Sequence, residues 1–193
     1  MKYFLDSVNK EEIEEWLHVA DGVTSNPYLL REEGIEYFKF LDYMNQHTIE
    51  SFVQIFNWEE IEIIRSKYRE QEIIYKISMH PKYYSLIERL KNNSLKVAAT
   101  TVYDIVQINQ AIELECDYTM VYHHKNENKN LFDEAYNLKQ KSNSNIKLVG
   151  ASLRGKDEII KAIKSGMDYS TIRPKYLKEI FTNKQLEDDL KTM

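Results

Sequence analysis

The feature that most constrains this chain is an alternation. Short apolar or β-branched runs are each followed by a stretch with apolar residues at helical spacing, and the pair repeats eight times. The runs that read as strands are Tyr3–Asp6, Gly22–Ser25, Ser51–Phe56, Ile73–Ser78, Lys96–Val102, Tyr118–Tyr122, Ile146–Ala151 and Met167–Ile172. Between them, Lys10–His18, Gly34–Gln46, Trp58–Arg69, Tyr84–Leu90, Ile105–Leu114, Leu131–Lys141 and Lys156–Lys164 read as helices, and Pro174 opens a last one. Strands that alternate with helices form a parallel sheet with crossover connections. Eight units in 193 residues, about 24 each, favour an α/β fold of one closed (β/α)8 TIM barrel over an open doubly wound sheet. No GxGxxG or GxxxxGK loop supports the open sheet, so dinucleotide and P-loop chemistry fall away. The expected organisation is one domain over residues 1–193, with 183–193 a short C-terminal tail or helix.

Composition narrows the class further. With 26 basic against 31 acidic residues and no basic block, a nucleic-acid partner is not expected. A single cysteine, Cys116, excludes an intrachain disulfide and a cysteine-based zinc cluster. The opening MKYFLDSVNKEE turns acidic before any apolar run of signal length, and no stretch approaches the roughly 20 apolar residues of a membrane span. The expectation is a soluble cytoplasmic protein without a membrane partner.

In a barrel of this kind chemistry gathers where strands end. The polar residues there are Asp6, Thr24-Ser25-Asn26, Gln54, Lys76, Thr100-Thr101, Tyr122, Ser152 and Arg154. Lys76 is the most informative. It lies mid-strand among Ile73, Ile74, Tyr75 and Ile77, and if it points inward its ammonium is desolvated and its pKa falls. A neutral lysine attacks a ketone and forms a Schiff base. The alternative is an outward lysine that snorkels past a helix. Plain structural roles stand beside the others as well. Asp6 is a candidate cap for the first helix, Asn26-Pro27 a turn pair, Gln54 and Thr100 hydrogen-bonded filler, Tyr122 packing, and Ser152–Arg154 a solvated loop. His80, His123 and His124 suggest a metal only weakly. Adjacent histidines point apart on a strand, and no carboxylate lies at ligand spacing, so no metal and no cofactor is expected.

These segments, in order along almost the whole chain, resemble the small transaldolase family and its fructose-6-phosphate aldolase branch. Phe4-Leu-Asp6 is similar to the family's FLD opening, Asp21-Gly-Val-Thr-Ser-Asn-Pro27 to GVTTNP, and Phe52-Val-Gln54 to the third-strand motif. Ile73-Ile-Tyr-Lys76-Ile resembles the stretch that carries the Schiff-base lysine. Ala99-Thr-Thr-Val-Tyr103 with Gln107, Tyr118–Tyr122 and Gly150-Ala-Ser152-Leu-Arg154 match the later strands. The resemblance implies that Lys76 forms an imine with a ketose donor, that Asp6 and Asn26 hold donor hydroxyls within the Thr24–Asn26 motif, and that Ser152 holds the terminal one. It implies that Tyr122 is the general acid/base, through a water placed by Gln54 and Thr100, and that Arg154 binds the acceptor phosphate. Gln54 and Tyr122 are the aldolase-branch residues, where transaldolases have glutamate and phenylalanine. A sugar phosphate substrate, a place in the pentose phosphate pathway and a homo-oligomer are further implications.

The chain also departs from the family. Lys76 is followed by Ile77-Ser-Met-His80 in place of V/I-P-x-T. Tyr122-His-His-Lys125 replaces N-R or G-R, leaving Lys125 as a substitute phosphate cation with Arg173 behind it. The aromatic F-x-x-x-W helix, which in the family docks on a neighbouring subunit of a decamer, is absent. Three functions follow: a Schiff-base aldolase, a transaldolase that passes a dihydroxyacetone unit between sugar phosphates, or a degenerate barrel with little catalysis.

Overall fold

Eight parallel strands hydrogen-bond in sequence order, and the eighth returns to the first to close a (β/α)8 barrel. The computed structural model describes residues 1–47, 49–68, 73–124, 126–181 and 188–191. The strands are β1 (Lys2–Asp6), β2 (Gly22–Thr24), β3 (Glu50–Gln54), β4 (Ile73–Ser78), β5 (Val97–Val102), β6 (Tyr118–Tyr122), β7 (Lys147–Ala151) and β8 (Tyr169–Ile172). The helices are α1 (Lys10–Trp16), α2 (Pro27–Glu32), α3 (Tyr37–Met44), α4 (Trp58–Lys67), α5 (Tyr84–Asn92), α6 (Ile105–Glu113), α7 (Leu131–Lys141), α8 (Lys156–Lys164) and α9 (Pro174–Phe181). Among the described residues no helix is long and apolar enough to cross a membrane. Of the expected tail at 183–193, residues 183–187 and 192–193 lie outside the described residues, as do Arg69 and Lys125.

Every strand expected from the sequence is present, but one helix was not foreseen. Asn26-Pro27, a turn pair in the sequence reading, opens α2. Asn26 Oδ1 accepts from the backbone N–H of Tyr28 and Leu29, and Pro27 takes the first turn. Gly34, read as the start of a helix, instead closes α2. At φ +64° it directs its N–H to Arg31 O and that of Ile35 to Leu30 O, a Schellman arrangement that glycine adopts without a Cβ clash. The next helix therefore begins at Tyr37. The expected third strand also ends two residues early, at Gln54 rather than Phe56.

Side chains alternate across each strand, and this sorts the barrel into two cores. The outward set joins buried helix residues such as Ile13, Leu41, Ile61, Leu90, Ile108, Phe132 and Ala162 in the main shell. The inward set is Phe4, Phe52, Ile74, Ala98, Tyr118, Met120, Val149 and Ala151, with Tyr122 and Tyr169 against it. Phe4 stacks on Tyr169 at 4.6 Å and packs at a tilt against Phe52 at 4.4 Å, and Tyr118 meets Phe52 edge-on at 5.1 Å. These rings plug the barrel and leave a polar layer above them at the strand ends.

Gly22 belongs to that tight fit. A Cβ there would lie 2.6 Å from the backbone oxygen of Glu50 and 3.1 Å from Phe4. Gly22→Ala should therefore lose about 1–3 kcal/mol of stability through overpacking. Denaturant unfolding that matches the unsubstituted protein would contradict that reading of the β2–β3 contact.

Candidate active site

The inward phase that plugs the barrel continues upward into polar residues. After Phe4 comes Asp6, after Gly22 comes Thr24, after Ile74 comes Lys76, after Ala98 comes Thr100, and after Met120 comes Tyr122. A cavity of about 530 Å³ opens above them at the C-terminal ends of the strands. Asp6, Thr24, Asn26, Lys76, Tyr122, Ser152 and Arg154 line it. Thr100 is fully buried behind Tyr122, and its Oγ1 lies 3.4 Å from the phenol oxygen.

Lys76 points into the barrel, not out past a helix. The residue is 4% exposed, and its Nζ donates to Thr24 Oγ1 at 2.8 Å and to the carbonyl of Ser25 at 2.7 Å. Burial lowers the amine from 10.5 to about 8, against the pull of the Asp6 carboxylate, which favours the ammonium. Asp6 does not cap α1, because Asn9 does that by accepting from Glu11 and Glu12. Burial pushes the Asp6 carboxyl up, while Lys76 and Arg173 hold it down. Burial also raises the Tyr122 phenol; the Thr100 hydrogen bond opposes this, and Asp6 and Tyr103 add to it. Tyr103 packs edge-on against Tyr122 at 5.1 Å.

Asn26 has two duties. Its carbonyl oxygen caps α2, while among the described residues its amide NH2 makes no hydrogen bond and is free to donate into the cavity. On the far wall β7 ends at Ala151, and Ser152 turns the chain at φ +59°. Arg154 follows, its backbone N–H held by Glu158 Oε2 at 2.7 Å.

Gln54 follows Phe52 in the same inward phase. It pairs in register with Lys76, yet it is the last residue of β3 and lines a second, largely apolar cavity with Leu30, Ile35 and Phe38, beside α2 and α3. Lys125 lies outside the described residues. His124 meets a carboxylate after all, Glu158 at 3.0 Å, while His123 is buried against Phe132. Among the described residues no three His, Cys, Asp or Glu side chains come together.

Further lining residues carry signals that could have been used. Tyr28, Lys175 and Tyr176 sit in the first turns of α2 and α9, positions that always face this end of such a barrel. Arg173, just past β8, lies 3.9 Å from Asp6 and 3.8 Å from Glu32. Among the described residues the cavity lining carries Lys76, Arg154, Arg173 and Lys175 against the single carboxylate Asp6, although the whole chain has a net charge of −5. Such a mouth suits an anionic ligand.

Comparison with known proteins bears on the family of the chain. The family model described as Transaldolase/Fructose-6-phosphate aldolase matches residues 57–193, a span that contains Lys76, Thr100, Tyr122, Ser152 and Arg154. A probable fructose-6-phosphate aldolase of Streptococcus pneumoniae is 28% identical, with 86% of this chain and 82% of the relative covered. A probable transaldolase of Methanococcus maripaludis is 23% identical, with 95% and 91% covered. One of Desulfitobacterium hafniense is 25% identical, with 99% and 95% covered.

Proposed function

The chain belongs to the transaldolase/fructose-6-phosphate aldolase family, and on that footing we propose that it makes and breaks a C–C bond of a ketose phosphate through an enamine on Lys76. The observation that carries the reading is the buried Lys76 amine, lowered to about 8 and directed at the cavity floor beside Asp6 and Tyr122.

In the cleavage direction Lys76 Nζ attacks the ketose carbonyl, and water leaves to give an iminium. The hydroxyl proton next to the scissile bond passes to a base. The C–C electron pair moves into the iminium as the aldehyde departs, and the resulting enamine takes a proton on carbon before hydrolysis frees the amine. Tyr122 is the proton carrier, with Thr100 as its hydrogen-bond partner. Gln54, in register with Lys76 at the end of β3, places the water of this proton path together with Thr100. Asp6 and the free amide of Asn26 hold donor hydroxyls, Ser152 holds the terminal one, and Arg154 meets the acceptor phosphate. A sugar phosphate suits the positive mouth.

Aldolase and transaldolase share the enamine and differ in its fate. Tyr122 favours release, as in the aldolase branch, while two of the relatives above are named probable transaldolases. Fructose 6-phosphate supplied alone separates the two. Free dihydroxyacetone as product supports the aldolase, and product formed only when an acceptor aldose is added supports the transaldolase.

Arg154→Ala tests the phosphate assignment. The KM for a phosphorylated acceptor should rise by about 10- to 100-fold, the equivalent of roughly 1.5–3 kcal/mol for a hydrogen bond to a charged group. Unphosphorylated aldehydes should be nearly unaffected. Equal losses for both acceptors would remove Arg154 from that role.

A further inference from the structure

Two hydroxyls beside the cavity lie outside the roles given so far. β4 continues past Lys76 to Ser78, which shares its inward phase and pairs in register with Thr100 of β5. At this level β5 is irregular. It pairs Ala99 with Thr119 and then Val102 with Val121, three steps on one strand against two on the other. The extra residue is accommodated by Thr101 at φ +57°, a conformation that β-branched residues avoid.

The bulge brings Thr101 back toward β4. Thr101 Oγ1 donates to the carbonyl of Thr100 at 2.6 Å, and it lies 2.6 Å from Ser78 Oγ. Its one proton is committed to the carbonyl, so Ser78 must be the donor in the second contact. The same Thr100 carbonyl also accepts the backbone N–H of Met79 at 2.9 Å. Thr100 is therefore held from both sides, and its own hydroxyl faces the Tyr122 phenol at 3.4 Å. Ser78 stands where the resembled motif has a proline, and a proline carries no hydroxyl with which to make this contact.

We propose that Ser78 and Thr101 are positioning residues that hold Thr100 against Tyr122 and so couple the strand of the amine to the strand of the proton carrier. The proposal rests on the Schiff-base reading above. The strained Thr101 is kept because its hydroxyl is needed at that point, and the Ser78–Thr101 contact takes over the stiffening of the strand end after Lys76.

The test separates hydroxyl-removing from hydroxyl-keeping variants. Ser78→Ala and Thr101→Val should each lower kcat for cleavage by about tenfold, a fraction of the roughly 100- to 10,000-fold that a positioned acid–base group contributes. KM should stay within about twofold, and the borohydride-trapped ketose adduct on Lys76 should form in full yield. The double variant should be no worse than either single one, because both break one chain of contacts. Ser78→Thr and Thr101→Ser should restore kcat. Hydroxyl-free variants with unchanged kcat, on a wild type that traps and cleaves, would overturn the positioning role and leave the Schiff-base reading intact. Losses shared by the hydroxyl-keeping variants, with a parallel fall in melting temperature, would overturn it in favour of a purely structural contact. A wild type that traps no adduct would overturn the Schiff-base reading, and this proposal with it.

Discussion

Lys76→Met should abolish C–C cleavage while the barrel persists. Methionine nearly matches the lysine in volume and removes the nucleophile. It also relieves the fold of an amine that burial disfavours in its charged form, so the unfolding transition should stay close to that of the wild type. In the unsubstituted protein the pH dependence carries the same information. The neutral amine is the reactive form, and its value of about 8 means that imine formation should rise through the range below pH 8 and level off above it. A lysine at the ordinary 10.5 would keep gaining rate well beyond that point. Cleavage by the Lys76→Met protein, or a rate still climbing above pH 9, would each contradict the assignment.

Tyr122→Phe should separate imine formation from proton transfer. The ring keeps its packing against Tyr103, and only the hydroxyl facing Thr100 is lost. Cleavage should fall by about 100- to 1,000-fold, within the range for a general acid–base group, while the adduct on Lys76 still forms. Phenylalanine is the sixth-strand residue of the transaldolases in the family that the sequence resembles. The longer-lived enamine should therefore be captured by an added acceptor aldose, and the ratio of transfer to release should rise. Loss of the adduct together with cleavage would place Tyr122 in imine formation instead.

How much of this was legible in the sequence depended on whether a strand or a tertiary detail fixed the residue. The period-2 pattern of Phe4-Leu-Asp6, Ile74-Tyr-Lys76 and Met120-Val-Tyr122 is enough to send those polar ends into the same mouth, because a closed barrel gives the inward phase nowhere else to go. The first helical turn after β2 was missed because six residues of α2 are too few to show periodicity. Its start signal, Asn26 before Pro27, reads equally as a turn. Thr101 was out of reach for another reason. Nothing in Thr100-Thr101-Val102 announces a bulge, which comes from the mismatch between β5 and β6. Arg173 was read as a spare cation for phosphate, but its contact with Asp6 depends on β8 closing against β1.

Borohydride reduction of the wild-type protein in the presence of dihydroxyacetone, followed by peptide mapping by mass spectrometry, tests the central claim most directly. It reads the covalent intermediate itself and does not depend on the acceptor. The expected result is one reduced three-carbon unit per chain, on Lys76 and on no other lysine. An adduct on another lysine, or a folded protein that traps none with dihydroxyacetone or with fructose 6-phosphate, would contradict the account and favour a barrel kept without this chemistry.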